Sequence, residues 1–217
     1  MNYKISLIVP CFGRPQRTIR AIECVMNQDF AHNWEAYFIG DNCPDLQKII
    51  DDGMANTYIE LAKSKGNKLA IFNLPHHYGK WGYECRSIGF RLTEALYIMF
   101  MDNDDMIKTN HFSNYYNAIA NTKFDLVYFD TWLDPIPNEN GGNGKLRQSK
   151  MEFGFIGHQE VIVRSSLLKL YRQKPIWGHD WEMINDLLKN GILYQKSFNP
   201  PTYHIMSVGE LREQGID

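Results

Sequence analysis

Apolar positions along the chain recur with two periods, and those periods alternate. Ile5 to Val9 is an apolar run ended by Pro10, the pattern of a strand buried on both faces. Pro15 then suits a first helical position, because its missing N–H would be an orphan there anyway, and Ile19, Ile22, Val25 and Met26 follow at helical spacing. Glu35 to Gly40 reads as a second strand, Ile49 to Lys63 as a helix and Leu69 to Phe72 as a third strand. A helix is expected near Tyr83 to Ala95, with Cys85, Ile88 and Leu92 on one stripe, and a short buried strand over Tyr97 to Met101. Phe112, Tyr115, Tyr116 and Ile119 predict another helix, and Asp125 to Phe129 another strand. Residues 134–150 hold Pro135, Pro137, Gly141, Gly142 and Gly144 without periodicity, which predicts a long flexible loop that is either a lid or simply disordered. Glu160 to Val163 predicts a strand, with helices near Ser166 to Tyr171 and His179 to Asn190. Strand and helix in alternation imply an α/β fold: a mostly parallel sheet covered by helices on both faces.

Composition narrows this picture without changing it. A chain of 217 residues, 44% hydrophobic and 22% charged, suits one domain with a full core. A formal net charge of −2 gives no support to a protein that coats nucleic acid or an anionic membrane. Cys11, Cys24, Cys43 and Cys85 show neither a CxxC pair nor zinc-ligand spacing, which suggests reduced thiols and a cytoplasmic setting. No segment reads as a signal peptide, and no stretch reaches the ~18 apolar residues of a membrane span, so a soluble protein is expected, with peripheral membrane contact left open.

The chemistry concentrates in Asp102-Asn103-Asp104-Asp105, directly after an apolar strand. Ligands of open α/β sheets bind beyond the carboxyl ends of strands. Three carboxylates within four residues repel one another unless a cation neutralises them, and hard oxygen ligands suit Mg²⁺ or Mn²⁺ bridging to phosphates. A solvated acidic turn is the competing reading.

Four segments in order carry a resemblance. Ile5 to Pro15, the strand ending Phe38-Ile39-Gly40-Asp41-Asn42, the run Tyr97 to Asp105, and Gly178-His179-Asp180-Trp181-Glu182 resemble the opening strand and loop, the second strand, the DxD motif and the late acidic motif of family 2 glycosyltransferases. The resemblance implies a GT-A fold, built as a single Rossmann-like nucleotide-binding domain over 1–217. Within it, 1–105 would bind the nucleotide-sugar and 106–217 the acceptor. It further implies a metal-dependent, inverting transferase that moves a sugar from a nucleotide-sugar, UDP-sugar favoured, to a hydroxyl acceptor.

Residue roles follow from the same resemblance. Pro10 and Phe12 would lie against the base, Asp41 would accept a hydrogen bond from it, and Arg14 and Arg86 would sit on the donor side. Asp102 would face the ribose or the metal, Asp104 would ligate the metal, Asp105 would share either role, and His204 would complete the metal site. Asp180 is the expected general base, with His179, Trp177 and Trp181 on the acceptor side. The motif departs from the family at His179, where Glu is usual, and at Ser87, where Asn is common.

A check on Asp180 is independent of the resemblance. On a helix starting near His179 it shares a face with Met183, Ile184 and Leu187, while Glu182 falls with Asp186 and Lys189 on the polar side. An acid on the buried face needs a partner or a job; helix capping is the competing account. Trp81, Tyr83 and Trp132 are further candidates for stacking on sugars, and Lys145, Arg147 and Lys150 for closing over a diphosphate. His76, His77 and His158 show no metal-ligand spacing, and His76 and His77 are read as loop residues. Two alternatives stay open: a noncatalytic nucleotide- or carbohydrate-binding module of the same fold, and a sugar nucleotidyltransferase. The latter usually has a Gly-rich basic loop after the first strand, which Cys11-Phe12-Gly13-Arg14 is not. The near-neutral charge disfavours a nucleic-acid acceptor.

Overall fold

Both faces of the first strand are apolar, and this places it inside a sheet rather than at its edge. In the computed structural model, which describes residues 3–133 and 145–206, β1 (Ile5–Cys11) sends Ile5, Leu7 and Val9 into one core and Ile8 into another. The chain continues through α1 (Pro15–Met26), β2 (Trp34–Gly40), α2 (Pro44–Asp51), α3 (Met54–Ser64), β3 (Lys68–Asn73), α4 (Tyr83–Leu92) and β4 (Tyr97–Phe100). Then come β5 (Met106–Ile107), α5 (His111–Ile119), β6 (Leu126–Tyr128), β7 (Thr131–Leu133) and β8 (Lys145–Arg147). Last are β9 (Val161–Arg164), α6 (Ser165–Leu168), α7 (His179–Lys189), β10 (Tyr194–Lys196) and β11 (Tyr203–Ile205).

The main sheet has the order β10-β6-β9-β4-β1-β2-β3, parallel throughout except for β9, which runs against both of its neighbours. Residues of α1, α2, α3 and α5 fill the core on one face, and those of α4, α6 and α7 the other. The mostly parallel α/β sheet with helices on both faces is therefore as expected. Helix α4 lies so close to β1 that a Cβ on Gly89 would come within 2.7 Å of Ile8 Cγ2. None of the described helices is long and apolar enough to cross a membrane.

Three expectations need correction. The helix expected over 49–63 is two helices, α2 and α3, because Gly53 turns the chain with φ +76 between them. The helix expected to reach Ala95 stops at Leu92, where a buried glutamate captures the chain beyond it. Glu35 Oε1 accepts from Thr93 Oγ1 at 2.7 Å, Glu94 N at 2.7 Å and Ala95 N at 3.0 Å. A second sheet, β5-β11-β7-β8, was not legible at all, since strands of two or three residues carry no measurable period. One of its strands, β8, falls inside the expected loop 134–150 and pairs antiparallel with β7; residues 134–144 lie outside the described residues.

Candidate active site

Because β1, β2 and β4 are parallel neighbours in register, the segments that leave their carboxyl ends emerge together. Phe12 to Arg14, Asp41 and Asp102 to Asp105 there line one cleft of about 880 Å³, whose far end is formed by His179 and Asp180. Residues nearly 170 positions apart thus share a single cavity, at the sheet edge where α/β proteins bind ligands.

On one side of the cleft, Asp41 organises a loop. Its Oδ1 accepts from Tyr78 N at 2.7 Å, its Oδ2 accepts from Gly79 N at 2.7 Å, and His77 Nδ1 stands 3.0 Å from Oδ2. The His77 ring lies 4.8 Å from that of Phe12, which is 56% exposed, so the two rings form one platform. His77, read from the sequence as a plain loop residue, lines the cleft; its partner lies 36 residues away, and no local pattern marks it. Beyond it, Gly79, Lys80, Trp81 and Gly82 all have φ between 54° and 74°. Left-handed backbone costs a non-glycine residue roughly 1–2 kcal/mol, so Lys80 and Trp81 are held there by their surroundings. The turn runs against the half-buried Pro10: a Cβ on Gly82 would sit 2.5 Å from Pro10 Cβ.

Arg86 links this turn to the acidic segment. It is only 4% exposed; its Nη1 donates to Trp81 O at 2.6 Å and its Nη2 to Asp102 Oδ1 at 2.6 Å. Asp104 forms an ion pair with Arg14, stands 3.6 Å from Arg17 Nη1, and accepts Arg20 Nη2 at its backbone oxygen at 2.8 Å. Burial, then the charge of Asp102, push the Asp104 carboxyl up, while Arg14 and Arg17 pull it down. Asp105 is used differently. Its Oδ2 accepts from Tyr203 Oη at 2.7 Å and its Oδ1 from Met206 N at 2.9 Å, tying β11 to the end of β4. Burial, then Asp102 and Asp104, hold its carboxyl well above the usual range.

A divalent cation fits this donor set. Asp102 and Asp104 line the same cleft, the Asp102 side chain is nearly half exposed, and Asp104 is raised by burial and then by the charge of Asp102, a repulsion that a cation would relieve. The fit is narrower than expected, however. Both Asp105 oxygens are spent on the β11 anchor. Strand alternation sets His204 opposite Tyr203 and Ile205; Ile205 lines the cleft and His204 does not. His204 pairs with Met106 and Trp132 in the second sheet, and buried His111 feels its charge: the His111 pKa is lowered to about 3 by burial and then by His204. Asp105 therefore lines the cleft beside Asp102 and Asp104 with both oxygens already engaged, and His204 is not among the residues that line it.

At the far end, α7 begins at His179 after Gly178, so Gly178 and not Asp180 occupies the cap position. Met183, Ile184 and Leu187 are buried, as the helical face of Asp180 requires. Glu182 is paired with Lys174 on the polar side, which Asp186 also reaches at 3.5 Å. Asp180 Oδ1 stands 2.8 Å from His158 Nδ1 and 2.9 Å from His179 Nε2. Burial opposes its charge, but His158, His179 and Arg86 outweigh burial and hold the carboxyl well below the usual range. His158 Nε2 in turn lies 2.6 Å from Gln173 Nε2. His158 and Gln173 escaped the sequence reading, as neither has a neighbour of matching chemistry along the chain. Among the described residues, His158, His179 and Asp180 are the group whose ligating atoms lie within 4.8 Å of one another.

The remaining candidates separate. Trp81 lines the cleft, and Trp177 and Trp181 line a recess beside Asp180; Tyr83 and Trp132 line neither. Arg147 reaches the cleft with its Nε 3.3 Å from the buried Glu160, whereas Lys150 lies over the Phe155 ring and Lys145 lines neither the cleft nor the recess.

Similarity to known proteins follows the same residues. Residues 6–180 match the family model described as Glycosyl transferase family 2. Over 187 residues the chain is 24% identical to the poly(ribitol-phosphate) beta-N-acetylglucosaminyltransferase TarP of Staphylococcus aureus (strain N315), covering 80% of this chain and 50% of that protein. The chain spans half the length or less of the first curated relatives it matches. Among solved structures, S. aureus TarS 1–349 in complex with UDP superposes with a TM-score of 0.71 at 16% identity, over 93% of this chain and 60% of that one. The mannosyltransferase PcManGT from Pyrobaculum calidifontis, in complex with GDP-Man and Mn²⁺, gives 0.64 at 13%, over 96% and 58%. Backbone and motif order agree with one another: the chain has the GT-A fold and belongs to glycosyl transferase family 2.

Proposed function

We propose that this domain is an inverting glycosyltransferase that uses a divalent cation and moves a sugar from a nucleotide-sugar, UDP-sugar favoured, to a hydroxyl acceptor. One observation carries the reading: the acidic segment Asp102 to Asp105 and the carboxylate of Asp180 line the same cleft. Residues 1–105 contribute the nucleotide and diphosphate side, and Asp180 with its surroundings in 106–217 the acceptor side. Pro10, Phe12 and His77 offer a surface for the base, and Asp41 holds the loop that frames it.

The reaction is a single displacement. An acceptor oxygen attacks the anomeric carbon as the bond from that carbon to the diphosphate breaks, and the hydroxyl proton passes to Asp180. Asp180 is suited to this because its imidazole partners keep it ionised. Arg14 and Arg86 place positive charge where the diphosphate departs. Mn²⁺ or Mg²⁺ held by Asp102 and Asp104 would neutralise charge on the leaving group. Holding donor and acceptor in one cavity supplies much of the remainder. The UDP bound by TarS supports uridine, while the GDP-Man of PcManGT makes guanosine the comparison to include.

The test is release of UDP or GDP from a panel of nucleotide-sugars, with and without Mn²⁺. Metal-dependent turnover of one donor is expected. Nucleotide binding with no hydrolysis or transfer, across a broad acceptor panel, would instead indicate a noncatalytic binding module.

A further inference from the structure

A second recess, of about 250 Å³, opens beside the main cleft on the same Asp180. Its walls are Trp81, Phe153, Ile156, Trp177 and Trp181, and Trp81 is common to both cavities. Three of these rings are open to solvent: Trp177 is 74% exposed, Trp81 59% and Phe153 51%. Apolar surface in that concentration marks a binding surface.

The recess is built rather than incidental. Trp81 is displayed from left-handed backbone with φ 58, a conformation its side chain disfavours. Its ring stacks on His179 at 6.0 Å and 18°, and Phe153 meets Trp177 edge-on at 5.4 Å and 74°. Gly178 has φ +75, and a Cβ there would stand 2.9 Å from Phe153 Cε2, so the ring rests directly on the backbone that starts α7. These contacts hold aromatic faces around the entrance to Asp180.

Among the residues lining the recess only Asp180 and His179 are ionisable, and there is no lysine or arginine. A phosphate or carboxylate seated there would meet the Asp180 carboxylate with no lysine or arginine in the recess wall to bind it; Arg86, 3.5 Å from His179, faces the main cleft and is committed to Asp102 and Trp81 O. A pyranose ring instead offers a face of C–H bonds to the negative face of an aromatic ring and hydroxyls at its rim.

We propose that this recess is the acceptor subsite and that it takes an uncharged pyranose ring, stacked on Trp81 and Trp177 with one hydroxyl directed at Asp180. The assignment rests on Asp180 as the base. It separates this domain from the polyol-phosphate acceptor named for TarP.

The experiment compares methyl β-D-glucopyranoside, methyl N-acetyl-β-D-glucosaminide and cellobiose with ribitol 5-phosphate and farnesyl phosphate as acceptors, using whichever nucleotide-sugar the domain hydrolyses. At least one pyranoside should show a kcat/KM tenfold or more above either phosphate. Trp177→Ala should raise that pyranoside's KM at least tenfold with UDP affinity within twofold, and Trp81→Asn, chosen because asparagine tolerates left-handed backbone, should raise the same KM as well. Quenching of tryptophan fluorescence by cellobiose reads occupancy without turnover and should disappear in Trp177→Ala. Preference for ribitol 5-phosphate or farnesyl phosphate, or a pyranoside KM unmoved by Trp177→Ala, overturns the proposal. Donor hydrolysis in water with no pyranoside accepted or bound sinks the acceptor assignment alone. Absence of both nucleotide binding and hydrolysis sinks the donor reading, and the fluorescence titration then decides the recess by itself.

Discussion

His158 Nδ1 stands 2.8 Å from Asp180 Oδ1, and the far nitrogen of the same imidazole stands 2.6 Å from Gln173 Nε2. The amide donates to Nε2, which leaves the proton on Nδ1, the ring nitrogen beside the carboxylate. Burial lowers the His158 pKa while the Asp180 carboxylate beside it pulls the other way, and His158 in turn favours the ionised form of Asp180. The other carboxylate oxygen, Oδ2, accepts from the His158 backbone N at 3.4 Å, so both oxygens of Asp180 have partners while the residue lines the cleft.

Asp180→Asn should therefore lower transfer by about 10²–10⁴-fold, the usual worth of a positioned base. Nucleotide affinity should stay within about a factor of ten, ~1.4 kcal/mol. Comparable losses in both, from steady-state rates and UDP titration calorimetry, would make Asp180 a donor-binding or structural residue instead.

His158→Gln should move the acid limb of the kcat/KM profile to higher pH. The sign follows from the partners of Asp180. Removing an imidazole that favours the ionised carboxylate leaves burial less opposed, so the folded-state pKa rises and the base is lost earlier as pH falls. Linkage gives the same direction for stability. A depressed Asp180 pKa stabilises the fold above the unfolded value of about 3.9, and this stability is lost as pH falls through the folded value. The variant should lose part of that increment, measured as a smaller Tm difference between pH 7 and about pH 2, below the usual carboxylate range. An unshifted acid limb would reduce His158 to packing.

Removal of the divalent ion with a chelator should weaken UDP binding at least tenfold, about 1.4 kcal/mol. Asp102→Asn and Asp104→Asn should each remove most of that metal dependence, whereas His204→Ala should retain it, because His204 does not line the cleft. Calorimetry with and without Mn²⁺ reads all three; UDP affinity indifferent to the ion in the unmodified chain would refute the metal reading.

Tyr203→Phe should destabilise the fold by about 1–3 kcal/mol, because a buried carboxyl loses its hydroxyl donor. The lost contacts are the 2.7 Å bond to Asp105 Oδ2 and the 3.1 Å bond from Asp102 N to the tyrosine oxygen. For a domain of this size each kcal/mol lowers Tm by roughly 2–4 °C, readable by calorimetry. An unchanged Tm would show that Met206 N alone satisfies the Asp105 carboxyl.

Gly89→Ala should also destabilise, although alanine is the better helix former by about 1 kcal/mol. The added methyl would stand 2.7 Å from Ile8 Cγ2, so α4 must move off β1, an overpacking cost of typically 1–3 kcal/mol. A chemical-denaturation midpoint equal to or above that of the parent would show that Ile8 gives way.

Periodicity was enough for the elements that bury whole faces. The runs at Ile5, Glu35 and Tyr97 predicted β1, β2 and β4, and the stripe from Asp180 through Leu187 predicted the buried face of α7, since burial imposes a spacing that one residue after another must obey. The acidic run after β4 was legible for the same reason: it begins where the apolar run stops. What the chain did not disclose is who meets whom across the cleft. His77 on Asp41, Arg14 on Asp104, Tyr203 on Asp105 and His158 on Asp180 join positions separated by 22 to 98 residues. Such pairs are set by how strands stack in the sheet and where their ends emerge, and no local pattern records that. The sequence by itself determined a parallel α/β sheet with carboxylates at its edge. Only the tertiary structure decided that Asp105 is an anchor, that His204 faces away, and that Asp180 is held by two imidazoles.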